Sequence, residues 1–144
     1  MGSQNRSEQQ LILLMATKRV IRPAKAAPPV GPYSHGVRVG DLLFCSGQIP
    51  IDPANPSAAI AGDIRAQTQR VLQNVKVILD DQGLSFGNVV KSTVFLTNLA
   101  DFAAMNEVYA EFFGNEKPAR TTVEARFVAP MRVEIDAIAY KPLP

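Results

Sequence analysis

Apolar and polar residues follow two different periods along this chain. Between Asp63 and Gly83 the residues Ile64, Val71, Leu72, Val75, Ile78 and Leu79 recur at helical intervals, which predicts an amphipathic helix. Asp63 suits its N-cap and Gly83 its C-terminal cap. A second stripe, Phe102, Met105, Tyr109, Phe112 and Phe113, predicts a helix over 99–113 with Asn98 as its cap. Elsewhere the period is two. VRV (37–39) and LLFCS (42–46) are β-prone runs joined by Gly40-Asp41, the spacing of a tight hairpin. NVVKSTVFLT (88–97) is rich in β-branched residues and reads as a central strand. Two further strands, 120–127 and 132–141, are expected to close the chain as a hairpin around a turn at Ala129-Pro130.

The predicted order, ββαβαββ, points to an α+β domain in which a mixed sheet carries two helices on one face. The other face is then left uncovered, and a small sheet with an exposed apolar face usually associates with copies of itself. Residues 49–63 hold three prolines and read as a loop. The stretch RPAKAAPPVGP leads into the domain and reads as an extended arm. The expected organisation is a flexible basic extension over 1–27 and a single domain over 28–144.

Composition narrows the chemistry. The chain has 144 residues, is 47% hydrophobic and carries a formal charge of +2, which suits one packed domain and gives no overall nucleic-acid footprint. The basic excess sits in the extension, where Arg6, Lys18, Arg19, Arg22 and Lys25 face one acid, Glu8. A lone cysteine, Cys45, rules out an intrachain disulfide, and with a lone histidine, His35, it cannot build a structural zinc site. The sequence has neither a GxSxG elbow nor a phosphate-binding GxxxxGK[ST] loop. No metal and no cofactor are expected. The apolar run 11–16 is too short to span a membrane, and TKR follows it in place of a small-residue cleavage site. The expected location is cytoplasmic, or mitochondrial if the extension is a native presequence; Met15 offers an alternative start.

The last two strands raise a chemical question. In RTTVEARF, alternation sets Arg120, Thr122, Glu124 and Arg126 on one side and Thr121, Val123, Ala125 and Phe127 on the other. In RVEIDAIAY, Val133, Ile135, Ala137 and Ala139 form an apolar row, with Glu134 and Asp136 opposite. Periodicity alone makes the polar rows solvated surface. It leaves open whether Arg120 and Glu134 share a face, because a one-residue slip in register reverses the answer. Cys45 points away from Ser46 and reads as a small buried hydrophobe. His35 reads as structural or solvated.

Several separated motifs, taken in order, are more specific. GPYSHG (31–36), FCSGQIPIDP (44–53), VVKSTVFLTNLADFAAMNEVY (89–109), PARTTVE and VEIDAIA closely resemble the Rid family, also called YjgF. The resemblance spans residues 28 to 141. It implies a chorismate-mutase-like fold, a homotrimer with sites in clefts between subunits, and hydrolysis of 2-imino and enamine acids. The substrates implied are 2-iminopropanoate and 2-iminobutanoate, converted to 2-oxo acids and ammonia without a cofactor. Arg120 then matches the family's substrate-binding arginine, and a guanidinium fork suits a carboxylate. Glu134 matches the acid assigned near the hydrolytic water. Tyr33, Ser46, Gly47 and Asn106 match pocket residues. Thr122 stands where many members carry cysteine; it can still hydrogen-bond to substrate, but a reactive thiol is missing.

Two other functions compete. One is an RNA-directed role, as a translation inhibitor or endoribonuclease, which some family members are described as having. The only basic concentration here is the extension, no RNA-reading motif is visible, and a nucleic-acid partner is not expected. The other is a non-catalytic ligand-binding or holdase module of the same fold.

Overall fold

The computed structural model describes residues 2–141; Met1 and the last three residues of the domain expected over 28–144 lie outside them. In chain order the elements are α1 (Gly2–Ala16), β1 (Arg19–Ile21), β2 (Gly36–Val39), β3 (Leu42–Gln48), α2 (Ile64–Asp81), β4 (Val89–Leu96), α3 (Phe102–Phe113), β5 (Ala119–Glu124) and β6 (Val133–Tyr140). The local expectations hold where a cap or turn sets the geometry. Asp63 accepts a hydrogen bond from the Ala66 N–H and starts α2. Gly83, at φ +66, ends it, and the Leu84 N–H closes back on Leu79 O at 2.9 Å. Gly40, at φ +54, lets β2 and β3 pair as a tight hairpin through Val39 and Leu42. Asn98 caps a 3₁₀ turn over Leu99–Asp101, so α3 begins at Phe102, where its stripe begins, and not at the expected residue 99.

The six strands form one sheet in the order β1-β2-β3-β6-β4-β5. The C-terminal hairpin expected from the sequence does not form. β4 lies between its two members, antiparallel to β6 and parallel to β5. The reason is the unequal apolar content of the two strands. Val133, Ile135, Ala137 and Ala139 of β6 are all buried, so β6 takes a central slot against α2. β5 has no comparable apolar row and goes to the edge. The connection between them crosses the end of β4 and is pinned there: the Ala125 N–H donates to Leu96 O, the Thr97 N–H to Arg132 O, and Thr97 Oγ1 to Met131 O. The arm also contributes β1, which pairs with β2.

The core lies between the sheet and α2 and α3. Leu43, Leu72, Ile78, Leu79, Leu96, Met105 and Ile135 are fully buried there. On the opposite face, Val20, Val39, Leu42, Phe44, Val123 and Tyr140 are between 38% and 45% exposed. The sheet is therefore apolar on both faces and covered on one.

Candidate functional site

Strand register divides the predicted site residues into two groups. In β4, Ser92, Val94 and Leu96 are buried on the helix side. Arg120 and Thr122 stand beside Ser92 and Val94 in the parallel ladder, so both face the helices. Glu134 stands beside Phe95 and, like Asp136, faces the open side. Arg120 and Thr122 are half-buried on the helix side, and Arg120 reaches the rings of α3, whereas Glu124 and Arg126 of the same row are exposed.

Around Glu134, the β3–β6 ladder shifts register between Cys45 and Gln48. The irregularity lets Gly47 lie against the Glu134 side chain; a Cβ at Gly47 would overlap the carboxylate. Tyr33, Ser46, Gly47 and Glu134 line one open cavity of about 590 Å³, together with Ile49 and loop residues that include Arg126, Phe127 and Met131. The Ser46 hydroxyl donates to Ser34 O at 2.6 Å, and its N–H donates to His35 O. Tyr33 Oη accepts from the Val30 N–H at 3.2 Å, leaving its own proton free to donate. Burial, reinforced by the nearby Asp136 charge, raises the Glu134 carboxyl above the usual glutamate range. Asp136 itself accepts from the Thr93 N–H at 2.8 Å.

The second group is built on β5 and α3. Phe102, Asn106 and Tyr109 share one helical face. The Arg120 guanidinium carbon lies 4.8 Å from the centre of the Tyr109 ring and 5.7 Å from that of Phe102. Asn106 Oδ1 and Thr122 Oγ1 are buried and have no hydrogen-bond partner among the described residues. The Arg120 guanidinium and the Thr122 hydroxyl can donate to a small anionic ligand, while Asn106 Oδ1 needs a donor such as a ligand N–H or a water.

Two residues the sequence left to structure stay there. His35 is buried and donates from Nε2 to Ala27 O at 2.7 Å. Cys45 is buried in the core, and burial, with the Asp136 charge, pushes its thiol up to about 12. The residues missed were Phe102 and Tyr109, which the sequence assigned to a core stripe. Tyr109 is buried, but Phe102 is 42% exposed. Their spacing around Asn106 was the signal, since positions 102, 106 and 109 fall on one helix face.

A family model described as Endoribonuclease L-PSP matches residues 24–141. A RutC family protein of Pyrococcus abyssi is 51% identical over 125 residues, covering 86% of this chain and 98% of the relative. TdcF of Escherichia coli, named "Putative reactive intermediate deaminase TdcF", is 41% identical over 128 residues, covering 86% of this chain and 98% of its own. The crystal structure of E. coli TdcF with bound serine superposes with a TM-score of 0.80 at 40% identity, covering 85% of this chain and 98% of that one. The crystal structure of the YjgF gene product of E. coli matches with a TM-score of 0.79 at 38% identity, over 85% of this chain and 98% of that one. The motifs that resembled Rid proteins, the six-stranded α+β sheet and these relatives agree: the chain belongs to the Rid/YjgF/RutC family.

Proposed function

We propose that the protein hydrolyses 2-imino acids and their enamine tautomers, 2-iminopropanoate and 2-iminobutanoate among them, to 2-oxo acids and ammonia. The site is closed between neighbouring copies of a homotrimer. The observation that carries this reading is the separation of Arg120 from Glu134. The two groups of site residues stand on opposite faces of one sheet, so one protomer alone cannot bring them together. An apolar open face supplies the surface on which a second copy would dock. The deaminase name of the E. coli relative supports the reaction, and the serine bound in that relative's crystal structure supports a small carboxylate ligand.

The chemistry follows from the side chains. Arg120 holds the substrate carboxylate with its fork, while Asn106 and Thr122 supply the adjoining polar contacts. The protonated imine is already electrophilic at carbon, so positioning does much of the work. Glu134 of the neighbouring copy orients a water and takes its proton as the oxygen bonds to that carbon. The tetrahedral adduct then loses ammonia as the nitrogen gains a proton and the C–N bond breaks, leaving the 2-oxo acid. One water is consumed and one ammonia released. A raised pKa makes Glu134 a stronger base than an ordinary glutamate, which suits it to take the water's proton.

The test generates both imines in place with an amino-acid oxidase, in the presence of semicarbazide as a trap. The wild type should divert imine to 2-oxo acid before trapping, and Arg120→Ala should not. A folded, trimeric wild type that diverts neither imine would sink the reading for these substrates.

A further inference from the structure

The Arg120 side chain makes no hydrogen bond and no ion pair among the described residues; the contacts that hold it are aromatic. A long guanidinium side chain without a carboxylate partner would ordinarily sample many rotamers. Two rings limit it here. Tyr109 is itself fixed: its hydroxyl lies 2.5 Å from Ser92 Oγ, and its ring stacks on Phe113 with centroids 4.3 Å apart. Ser92 is the β4 residue directly beside Arg120 in the ladder. Strand and helix are thus tied together at the level of the arginine. Burial, opposed by the Ser92 hydrogen bond and the Arg120 charge, raises the Tyr109 phenol above its ordinary value, so the ring facing the cation is neutral. Phe102 lies one turn before Asn106 on α3 and, at 42% exposure, stands outside the buried core, which therefore does not require an aromatic there.

We propose that Phe102 and Tyr109 form an aromatic bracket that positions Arg120. Ring contacts occupy the flat guanidinium and leave its N–H edge as the surface that can bind a carboxylate. Both rings act through Arg120, so both are positioning residues. The inference rests on the deaminase reading, because it takes Arg120 to be the carboxylate ligand.

The test measures steady-state kinetics on 2-iminobutanoate, together with the ¹⁵Nε relaxation of Arg120, in wild type, Phe102→Leu, Tyr109→Leu and Tyr109→Phe. Removing either ring face should raise KM about tenfold with little change in kcat, and should increase the motion of the Arg120 Nε–H. Tyr109→Phe keeps the ring and should return KM to within about threefold of wild type. Tyr109 is buried and its leucine variant can fail to fold, in which case Phe102→Leu carries the test alone. Unchanged KM and unchanged Arg120 dynamics in Phe102→Leu would overturn the bracket. So would a Tyr109→Phe variant as impaired as a folded Tyr109→Leu. A wild type without imine hydrolysis would instead defeat the reading beneath it, and the relaxation data would still report whether the rings hold the arginine.

Discussion

Arg120 and Glu134 face away from each other across a single sheet: Arg120 lies beside buried Ser92 under α3, and Glu134 beside Phe95 on the open side. Any reaction that uses both must draw them from different chains. In the cyclic assembly proposed above, each site would take its arginine from one subunit and its glutamate from the next. Arg120→Ala and Glu134→Gln should each be inactive alone. Unfolded together in equal amounts and refolded, they should recover about a quarter of wild-type activity, because about one interface in four then pairs two intact residues. No recovery from well-folded mixed trimers would mean that the two residues do not cooperate across an interface.

The raised pKa of Glu134 fixes the sign of two pH effects. In the proposed mechanism the deprotonated form is the base, so activity should fall as pH drops through a value above the ordinary glutamate range. Asp136→Asn removes the smaller of the two causes of that shift and should move the acid limb to lower pH. Stability runs the other way. A carboxyl whose folded pKa is raised stabilises the fold below its unfolded pKa, and that contribution is lost as pH rises through the folded value. At neutral pH the Glu134 carboxylate is therefore a burden on the fold. Glu134→Gln should raise Tm at pH 7 by about 2 °C, a modest gain because the group is partly solvated. The difference should shrink as pH falls below the ordinary glutamate range, which paired thermal melts would show.

What could be read in the sequence was what is local. Asp63, Gly83 and Gly40 act through their own backbone and neighbours within a few residues, and they marked α2 and the first hairpin correctly. The pairing of β5 and β6 was misread because partner choice depends on burial across the whole sheet: β6 needed a slot beneath α2, and β4 came between the two strands. For the same reason, alternation could sort Arg120 from Val123 but could not say which side lay under a helix. β1 escaped notice because Arg19–Ile21 is too short for a period. α1 escaped because its first nine residues are nearly all polar and offer no stripe. The family motifs supplied the candidate residues, and register then divided them into two groups.

Gly47 tests how closely Glu134 must be held. A Cβ there would strike the Glu134 carboxylate and the stem behind it. Gly47 has no positive φ, so alanine should fit the backbone, and the glutamate side chain would be displaced instead. Gly47→Ala should keep Tm within about 2 °C of wild type while losing about 10²-fold in kcat, the usual effect of displacing a catalytic group by about an ångström. A fully active variant would show that Glu134 need not lie against the β3 backbone.

Cys45 should be inert in the folded protein. With its thiol held up to about 12 by burial and the Asp136 charge, only about one molecule in ten thousand carries a thiolate at pH 8. Iodoacetamide at that pH should leave the native protein unmodified for hours and alkylate it promptly in denaturant, as intact-mass spectra would record. Rapid native labelling would mean that β3 opens readily.

The extension separates the enzymatic from the RNA-directed reading. The family model begins at residue 24, so most of the basic excess over 1–27 lies before it. Deleting residues 1–17 removes Arg6 and keeps β1, whose pairing with β2 completes the sheet edge. Charge reversal at Lys18, Arg22 and Lys25 removes three more cations without shortening the chain. Neither change touches a residue of the proposed site, so imine hydrolysis should persist within about twofold of wild type, since surface changes away from a site are usually near neutral. Any RNA binding carried by the arm should weaken steeply with salt in the intact chain and disappear in the combined variant. Loss of imine hydrolysis together with the arm would require the extension to reach the site. RNA cleavage that survived the loss of these cations would move the nucleic-acid reading onto the folded domain.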